Sequence, residues 1–388
     1  MTAARKRIST ILGSLILLAA VACGKTAAVQ TAQAPEPTPV PEGVHLAVYG
    51  EGEPTISIHS ELQEQFLRTD YKSAHKLADG KEERGCPEKL TLDWSRWAVS
   101  EASASPYRVK VSEEKTFADA KEYETPETTL AIDNLKIGTL YYWTVTAADG
   151  TEGAASSFRT ADTMIRNLRV DGITNVRDLG GYQTASGARV RQGMLFRCGR
   201  LNTSRAEQVN VEITEAGKQT MLEDLRIRSE IDLRQVADGE VGGITSSVLG
   251  DNVRYYSVPM DFTPKESKSD TIKGNVRMIR YLFSILADES NYPLCFHCDI
   301  GTDRTGMVAY VINGLLGVER ETLYYDYLFS DLGRIGSVRT YNMFSKLPYV
   351  KTIEDSPGDT LQEKVYQCML EIGIPSEDLD TVIRILSE

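Results

Sequence analysis

Histidine is scarce in this chain of 388 residues: His45, His59, His75 and His297 are all it has, and beyond position 75 only His297 remains. That scarcity argues against a His-rich zinc site and against a Ser-His-Asp machine in the C-terminal half. No metal and no organic cofactor is expected. Cysteine is sparse as well, and Cys23, Cys86, Cys198, Cys295, Cys298 and Cys368 follow no tight framework spacing. Positive charge is in deficit, with 43 Lys and Arg against 55 Asp and Glu and a net charge of -12. A phosphate backbone repels such a surface, so a general nucleic-acid binder is excluded. A local positive pocket for a small phosphorylated molecule is still compatible with it. Long apolar runs are missing too, apart from one near the start, Ile8 to Ala22, which is short for a membrane span.

That run follows Arg5, Lys6 and Arg7 and leads through small residues to Cys23. This is the layout of a signal peptide. Its end, Ala20-Val21-Ala22-Cys23, resembles the lipobox of bacterial lipoproteins, with Ala20 in place of the usual Leu. The resemblance implies a signal over residues 1–23, a lipidated Cys23, and an exported protein anchored to the outer face of a bacterial membrane or lying in the periplasm. Residues 24–43, with Pro35, Pro37, Pro39 and Pro41, read as a semi-extended tether. Residues 44–85 mix a short alternating stretch, Thr55 to Ile58, with a charged, helix-like one, and carry no functional signal.

Residues 86–162 read as a small all-β sandwich. Leu90 to Trp94, Tyr107 to Val111 and Tyr142 to Ala147 alternate apolar and polar side chains, and Asp149-Gly150 is a turn signal. The stretch Leu135 to Val145 resembles the end of a fibronectin type III domain. The likeness implies Tyr141 as corner tyrosine and Trp94 as core tryptophan. Such a domain would position its neighbour or bind a surface partner.

Residues 163–388 alternate strand-like and helix-like stretches and read as an α/β domain with a central sheet flanked by helices. Ser229 to Leu233 and Tyr292 to Phe296 read as buried strands. Val276 to Leu286, Thr305 to Leu316 and Leu361 to Ile372 read as helices, with Gly317 and Gly373 as stops.

The chemistry concentrates in His297-Cys298-Asp299-Ile300-Gly301-Thr302-Asp303-Arg304-Thr305-Gly306. A loop between a strand and a helix N-terminus aims backbone N–H groups at one point and binds an anion with several equivalent oxygens. Gly301 permits a twist that a Cβ would resist. Arg304 can fork two donors onto phosphate oxygens. A thiol at a helix N-terminus beside an Arg ionises more readily than a free one, which makes Cys298 a nucleophile. Thr305 can donate to the sulfur, and His297 is placed to hold the loop backbone. A buried Cys before a helix with an ordinary surface Arg is the plainer alternative. It does not account for the conjunction of strand, His-Cys, central Gly, Arg-Thr-Gly and helix.

That string resembles the signature of cysteine-dependent protein tyrosine phosphatases, and more closely a bacterial tyrosine/dual-specificity branch with a His-Cys-x-x-Gly-x-Asp-Arg-Thr-Gly loop. Asn175 to Tyr182, Gly193 to Gly199, Ile231 to Arg234 and Asp326 to Leu328 match further motifs of that branch in order, so the likeness covers residues 165 to 388. It implies Cys298, Arg304, Asp303, His297 and Thr305 as catalytic, with Asp303 protonating the leaving group and Asp261 as its rival. It also implies Asp299, Ile300, Gly301, Thr302, Arg197, Asp178 and Asp261 around the substrate. Ile300 and Thr302 stand where many relatives have Ala and Lys, which tilts the expectation from polyphosphorylated ligands toward phosphotyrosine. The expected substrate is a phosphorylated protein or small phosphomonoester. The alternatives are a phosphoinositide or inositol polyphosphate phosphatase, or a non-catalytic phosphate-binding surface protein. Cys198 and Cys295 are candidates to trap Cys298 in a disulfide, against the plainer reading of two buried thiols.

Overall fold

Period-two burial builds the N-terminal sheets. The computed structural model describes residues 45–47, 53–100, 104–202, 212–235, 241, 243–261 and 271–388. The expected signal, Cys23 and the tether lie outside the described residues. Eight strands come first: β1 (His45–Ala47), β2 (Thr55–Ile56), β3 (Leu90–Asp93), β4 (Tyr107–Ser112), β5 (Lys121–Thr125), β6 (Thr129–Ile132), β7 (Leu140–Thr146) and β8 (Ser156–Thr160). They form a three-stranded sheet, β1-β3-β6, and a five-stranded sheet, β2-β8-β7-β4-β5. Along β7 the side chains of Tyr141, Trp143 and Val145 are buried while their neighbours are half-exposed. They meet Leu92, Trp94, Val109, Ile132 and Phe158 in one core fed by both sheets. The Tyr141 hydroxyl accepts the Lys136 amide at 2.8 Å and pins the loop before β7.

The second half carries β9 (Arg166–Asn167), β10 (Arg177–Asp178), β11 (Leu195–Cys198), β12 (Ser229–Asp232), β13 (Arg254–Ser257) and β14 (Leu294–His297). Their order is β13-β12-β14-β11-β10-β9. The first four run parallel, and β10 is antiparallel to β11 and β9. Every residue of β11, β12 and β14 is buried, including Arg197, Glu230, Asp232 and His297. A parallel sheet covered on both faces buries its strands whole. Ligands of open α/β sheets bind at the carboxyl ends of such strands, and these charged side chains gather there. The helices Val276–Leu286, Asp303–Leu315, Arg320–Leu328 and Leu361–Glu371 supply the core against the sheet. Gly317 and Gly373, at φ +83° and +84°, follow two of them as the sequence suggests.

Residues 61–86 pack with this second half. The helix α1 (Glu61–Arg68) opens with a capping box between Ser60 and Gln63, and α2 (Tyr71–Ala74) follows. Phe66 and Ala74 enter the same core as Phe296 and Leu328. Gln63 Nε2 donates to the carbonyls of Arg84 and Cys86, and Asn167 Nδ2 donates to Gln63 Oε1 and to the Gly85 carbonyl. The two-sheet unit is tied on by amide side chains that mimic a backbone pair. Asn134 exchanges hydrogen bonds with the Arg169 backbone at 2.9 and 2.7 Å. Gln192 does the same with Ile137 at 3.0 and 2.9 Å.

Candidate active site

The buried strand β14 delivers the chain into residues 298–302, and the helix Asp303–Leu315 begins at once. Gly301 has φ +71°, and a Cβ there would lie 2.4 Å from the Cys198 carbonyl oxygen, so no other residue fits.

The loop carbonyls are all engaged. The Cys298 carbonyl meets His297 Nδ1 at 3.2 Å, and the Asp299 carbonyl accepts the Arg200 amide at 3.0 Å. The Ile300 carbonyl accepts Asn175 Nδ2 at 3.1 Å, and the Gly301 carbonyl accepts Arg197 Nη2 at 2.7 Å. The Thr302 carbonyl takes the Gly306 amide at 2.7 Å and Arg197 Nη2 at 3.5 Å. In a planar trans peptide the N–H of the next residue points the opposite way from the carbonyl. Holding these carbonyls toward the protein therefore turns the amides of residues 299–303 to the other side. Among the described residues none of those amides donates to a protein acceptor. Five convergent donors beside a helix N-terminus form an anion cradle.

Cys298 is buried at the start of this cradle. Arg304, half-buried in the first turn of the helix, reaches the Leu233 carbonyl at the end of β12 with Nη1 at 3.5 Å. Behind the loop, Arg197 pairs with Asp326, which also takes Arg177 Nε at 3.2 Å and the Tyr182 hydroxyl at 2.9 Å. Burial opposes ionisation of Asp326, but the Arg197 and Arg177 charges hold its carboxyl below the ordinary value. His297 Nε2 faces Glu230 Oε1 at 3.0 Å, and Nδ1 lies 3.9 Å from Asp232 Oδ1. Burial disfavours the imidazolium, yet the Asp232 charge and the Glu230 hydrogen bond outweigh it and push the ring up to about 9.

The expected site residues divide into three groups. Cys298, Asp299, Ile300, Gly301 and Thr302 make the loop, and His297, Arg197 and Arg304 flank it. Asp299 is itself held by Arg200 Nη1 at 2.7 Å. The Thr302 side chain turns inward, fully buried, where Asn175 Nδ2 meets its hydroxyl at 3.3 Å. It offers the substrate side no side-chain contact. Arg197 likewise serves the loop from behind, so its role is to shape the cradle. Thr305 Oγ1 is buried and makes no hydrogen bond, so the expected donation to the sulfur is not formed.

Asp178 stands apart. Its carboxylate takes Arg166 Nη1 at 2.5 Å and the amides of Gly180 and Gly193 at 2.7 and 2.6 Å, which brace the turns around β10. Asp303 sits in the helix's first turn, with Arg339 Nε and Nη2 at 3.1 and 2.9 Å and the Tyr327 hydroxyl at 2.9 Å. Asp261 lies after β13, its backbone clasped by Asn275 at 2.8 and 2.7 Å. Cys198 and Cys295 lie fully buried on the neighbouring strands β11 and β14, and neither forms a disulfide. No group of three or more His, Cys, Asp or Glu among the described residues is arranged to hold a metal ion.

Asn175, Arg200, Glu230, Asp326 and Arg339 were missed as parts of the site. Asn175 and Asp326 fall inside motifs that the sequence exposes, but without a role. Arg339 lies outside every motif, and only the fold brings it to Asp303.

Residues 168–347 match the model of the tyrosine phosphatase family. A Cupriavidus necator protein, named provisionally as a tyrosine-protein phosphatase, is 29% identical over 182 residues, 42% of this chain and 63% of that protein. The chain thus spans less than two thirds of that relative. Among solved structures, the core catalytic domain of the PP-IP phosphatase Siw14 from S. cerevisiae, in complex with citrate, gives a TM-score of 0.25. It is 15% identical, over 39% of this chain and 77% of that one. A second Siw14 catalytic core gives 0.27 at 13% identity, over 40% and 79%. The family match and the relative support a cysteine-based phosphatase.

Proposed function

We propose that the chain hydrolyses phosphomonoesters through a cysteinyl-phosphate intermediate, with phosphotyrosine protein as its first substrate class and phosphoserine or phosphothreonine as a second. The outward tether on every carbonyl from Cys298 to Thr302 carries the proposal, because it leaves five amides for three phosphoryl oxygens. The Cys298 thiolate attacks phosphorus and forms the S–P bond as the P–O bond to the alcohol or phenol breaks. The leaving oxygen takes a proton from a carboxylic acid. Water then attacks phosphorus, inorganic phosphate leaves, and the thiolate is restored. Arg304 and the amides stabilise the equatorial oxygens in both steps. The buried, uncharged Thr302 at the position where relatives carry Lys favours monophosphorylated substrates. Anchoring through a lipidated Cys23 and partner binding by a fibronectin-like two-sheet unit complete the proposal.

Two carboxylates compete for the proton donor. Asp303 is in the first turn but must loosen its Arg339 pair to carry a proton. Asp303→Asn and Asp261→Asn are compared on aryl phosphates of rising leaving-group pKa. The true acid's variant loses rate steeply on poor leaving groups and little on good ones. Equal slowing across the series removes that residue from the role. Cys298→Ser abolishes turnover of every substrate. A panel of phosphotyrosine and phosphoserine peptides, phosphoinositides and phytate tests the substrate class, and preference for phytate would overturn it.

A further inference from the structure

We propose that Glu230 and Asp232 are positioning residues that keep His297 as an imidazolium, so that the nucleophile's own carbonyl stays pinned behind the anion cradle across the working pH range. The inference deepens the phosphatase reading of this site and rests on it.

The geometry leaves the ring little choice. Strand β12 lies parallel to β14 with Glu230 opposite Cys295 and Asp232 opposite His297. Nε2 faces a carboxylate oxygen, Glu230 Oε1, at 3.0 Å. Nδ1 faces the Cys298 carbonyl at 3.2 Å and Asp232 Oδ1 at 3.9 Å. A neutral imidazole carries one N–H, so it would aim a lone pair at one of these acceptors. Only the doubly protonated ring satisfies both sides.

Charge balance gives the same answer. His297, Glu230, Asp232 and Arg234 are all at most 2% exposed. With a charged His297 the four formal charges cancel. With a neutral ring the cluster holds a net negative charge away from water, which is costly. The carboxylates are themselves held. Glu230 Oε2 accepts the Ser247 hydroxyl, and Asp232 accepts Arg234 N and Nη2 at 2.9 and 2.7 Å and the Tyr255 hydroxyl at 3.0 Å. Burial opposes ionisation of Asp232, while His297 and Arg234 bring its carboxyl down to about 2. On β11, Cys198 is the register partner of His297.

The consequence reaches the cradle. The Nδ1–H is the donor on the Cys298 carbonyl, and that carbonyl shares its peptide with the Asp299 amide. Loss of the proton turns a donor into a repelling lone pair and frees the first amide of the cradle.

The test uses the full chain, labelled with 15N at histidine. The four imidazoles are told apart by the loss of one signal in His297→Asn. Both His297 ring nitrogens should show the shifts of protonated imidazolium from pH 6 to 8 and lose them only toward pH 9. In Glu230→Gln the amide oxygen still accepts Nε2–H, so the ring becomes neutral at pH 7 and it is the Nδ1–H on the Cys298 carbonyl that is lost. Inorganic phosphate should then bind on the order of tenfold more weakly, the loss of one charge-assisted contact. Restoring a carboxylate by Glu230→Asp should return part of the charge. A neutral His297 in the wild type at pH 7, or an unchanged charge in Glu230→Gln, overturns the proposal. If Glu230→Gln does not fold, the wild-type titration alone decides. Because the spectrum needs no turnover, a charged ring in a protein without phosphatase activity would sink the functional reading and leave this one standing.

Discussion

A lysine at position 197 would carry the same charge and fail at the same task. Arg197 donates from one nitrogen to Asp326 and from another to the Gly301 and Thr302 carbonyls, a fork that one ammonium cannot reproduce. Arg197→Lys should leave the chain folded but let the loop carbonyls drift. A misplacement of about 1 Å costs catalysis on the order of 100-fold, so kcat/KM on an aryl phosphate should fall by about that factor. A loss under threefold would show that the loop holds its shape without the fork. Asp331 makes a second residue-scale claim. Its Oδ1 accepts the Arg339 amide at 2.7 Å, while Oδ2 is buried without a partner. Burial raises its carboxyl to about 7, against the pull of the Arg339 amide and charge. The folded value lies above the unfolded one, about 3.9. The stabilising contribution of the protonated form is therefore complete below about pH 4 and is lost as pH rises through 7. Asp331→Asn should raise stability at pH 8 by on the order of 2 kcal/mol and change it little at pH 4, in urea melts at the two pH values. The same shift at both would refute the claim. Cys298, Gly301 and Arg304 could be found in the sequence because a strand, a glycine and a helix start bracket them. Asp331 and Arg339 could not, since an isolated Asp or Arg looks alike whether it faces water or a buried carboxylate.

At the scale of elements, strong periodicity was easy to see and sparse packing was not. The strand before Cys298 and the helix after it stand within about two residues of where the apolar pattern puts them. Beyond the alternating stretch Thr55 to Ile58, the segment 61–86 shows no such pattern. It contributes few large apolar groups to the core, chiefly Phe66, and works otherwise through side-chain-to-backbone bonds such as Gln63 to Arg84 and Cys86. Such bonds have no period and leave no trace in composition. Yet Phe66 is fully buried and stacks edge-on against Phe329 at 5.9 Å, and Phe329 lies 5.7 Å beneath the Arg177 guanidinium. Truncating a buried Phe to Ala costs about 3–5 kcal/mol through lost transfer energy and a cavity. Phe66→Ala should cost that much in denaturant melts, although it lies outside the region that matches the phosphatase family. A cost under 1 kcal/mol would mean that α1 lies on the surface of the catalytic half.

For the whole molecule, the sequence sets a boundary at residue 163, and the described residues from His45 onward keep separate cores within one compact unit. The reason lies in the seam. Asn134 and Gln192 each hold the opposite backbone by two hydrogen bonds, and Arg166 donates to the carbonyls of Leu135 and Asn134 while pairing with Asp178. An interface of weak, polar surface contacts lets domains unfold separately. Here the bonds are part-buried backbone substitutes, and breaking the seam would strand Arg166 and its partner carboxylate in a place closed to water. Residues 53–388 should therefore unfold in a single calorimetric transition whose calorimetric and van't Hoff enthalpies agree. A fragment from residue 163 to the end should lose that transition and bind a hydrophobic dye, since it lacks Phe66, Ala74 and the partners of Asn167. Two separate transitions in the longer chain, or a cooperatively folded short fragment with full phosphatase activity, would show that the two-sheet unit and residues 61–86 are appendages, with no part in holding the loop around Cys298.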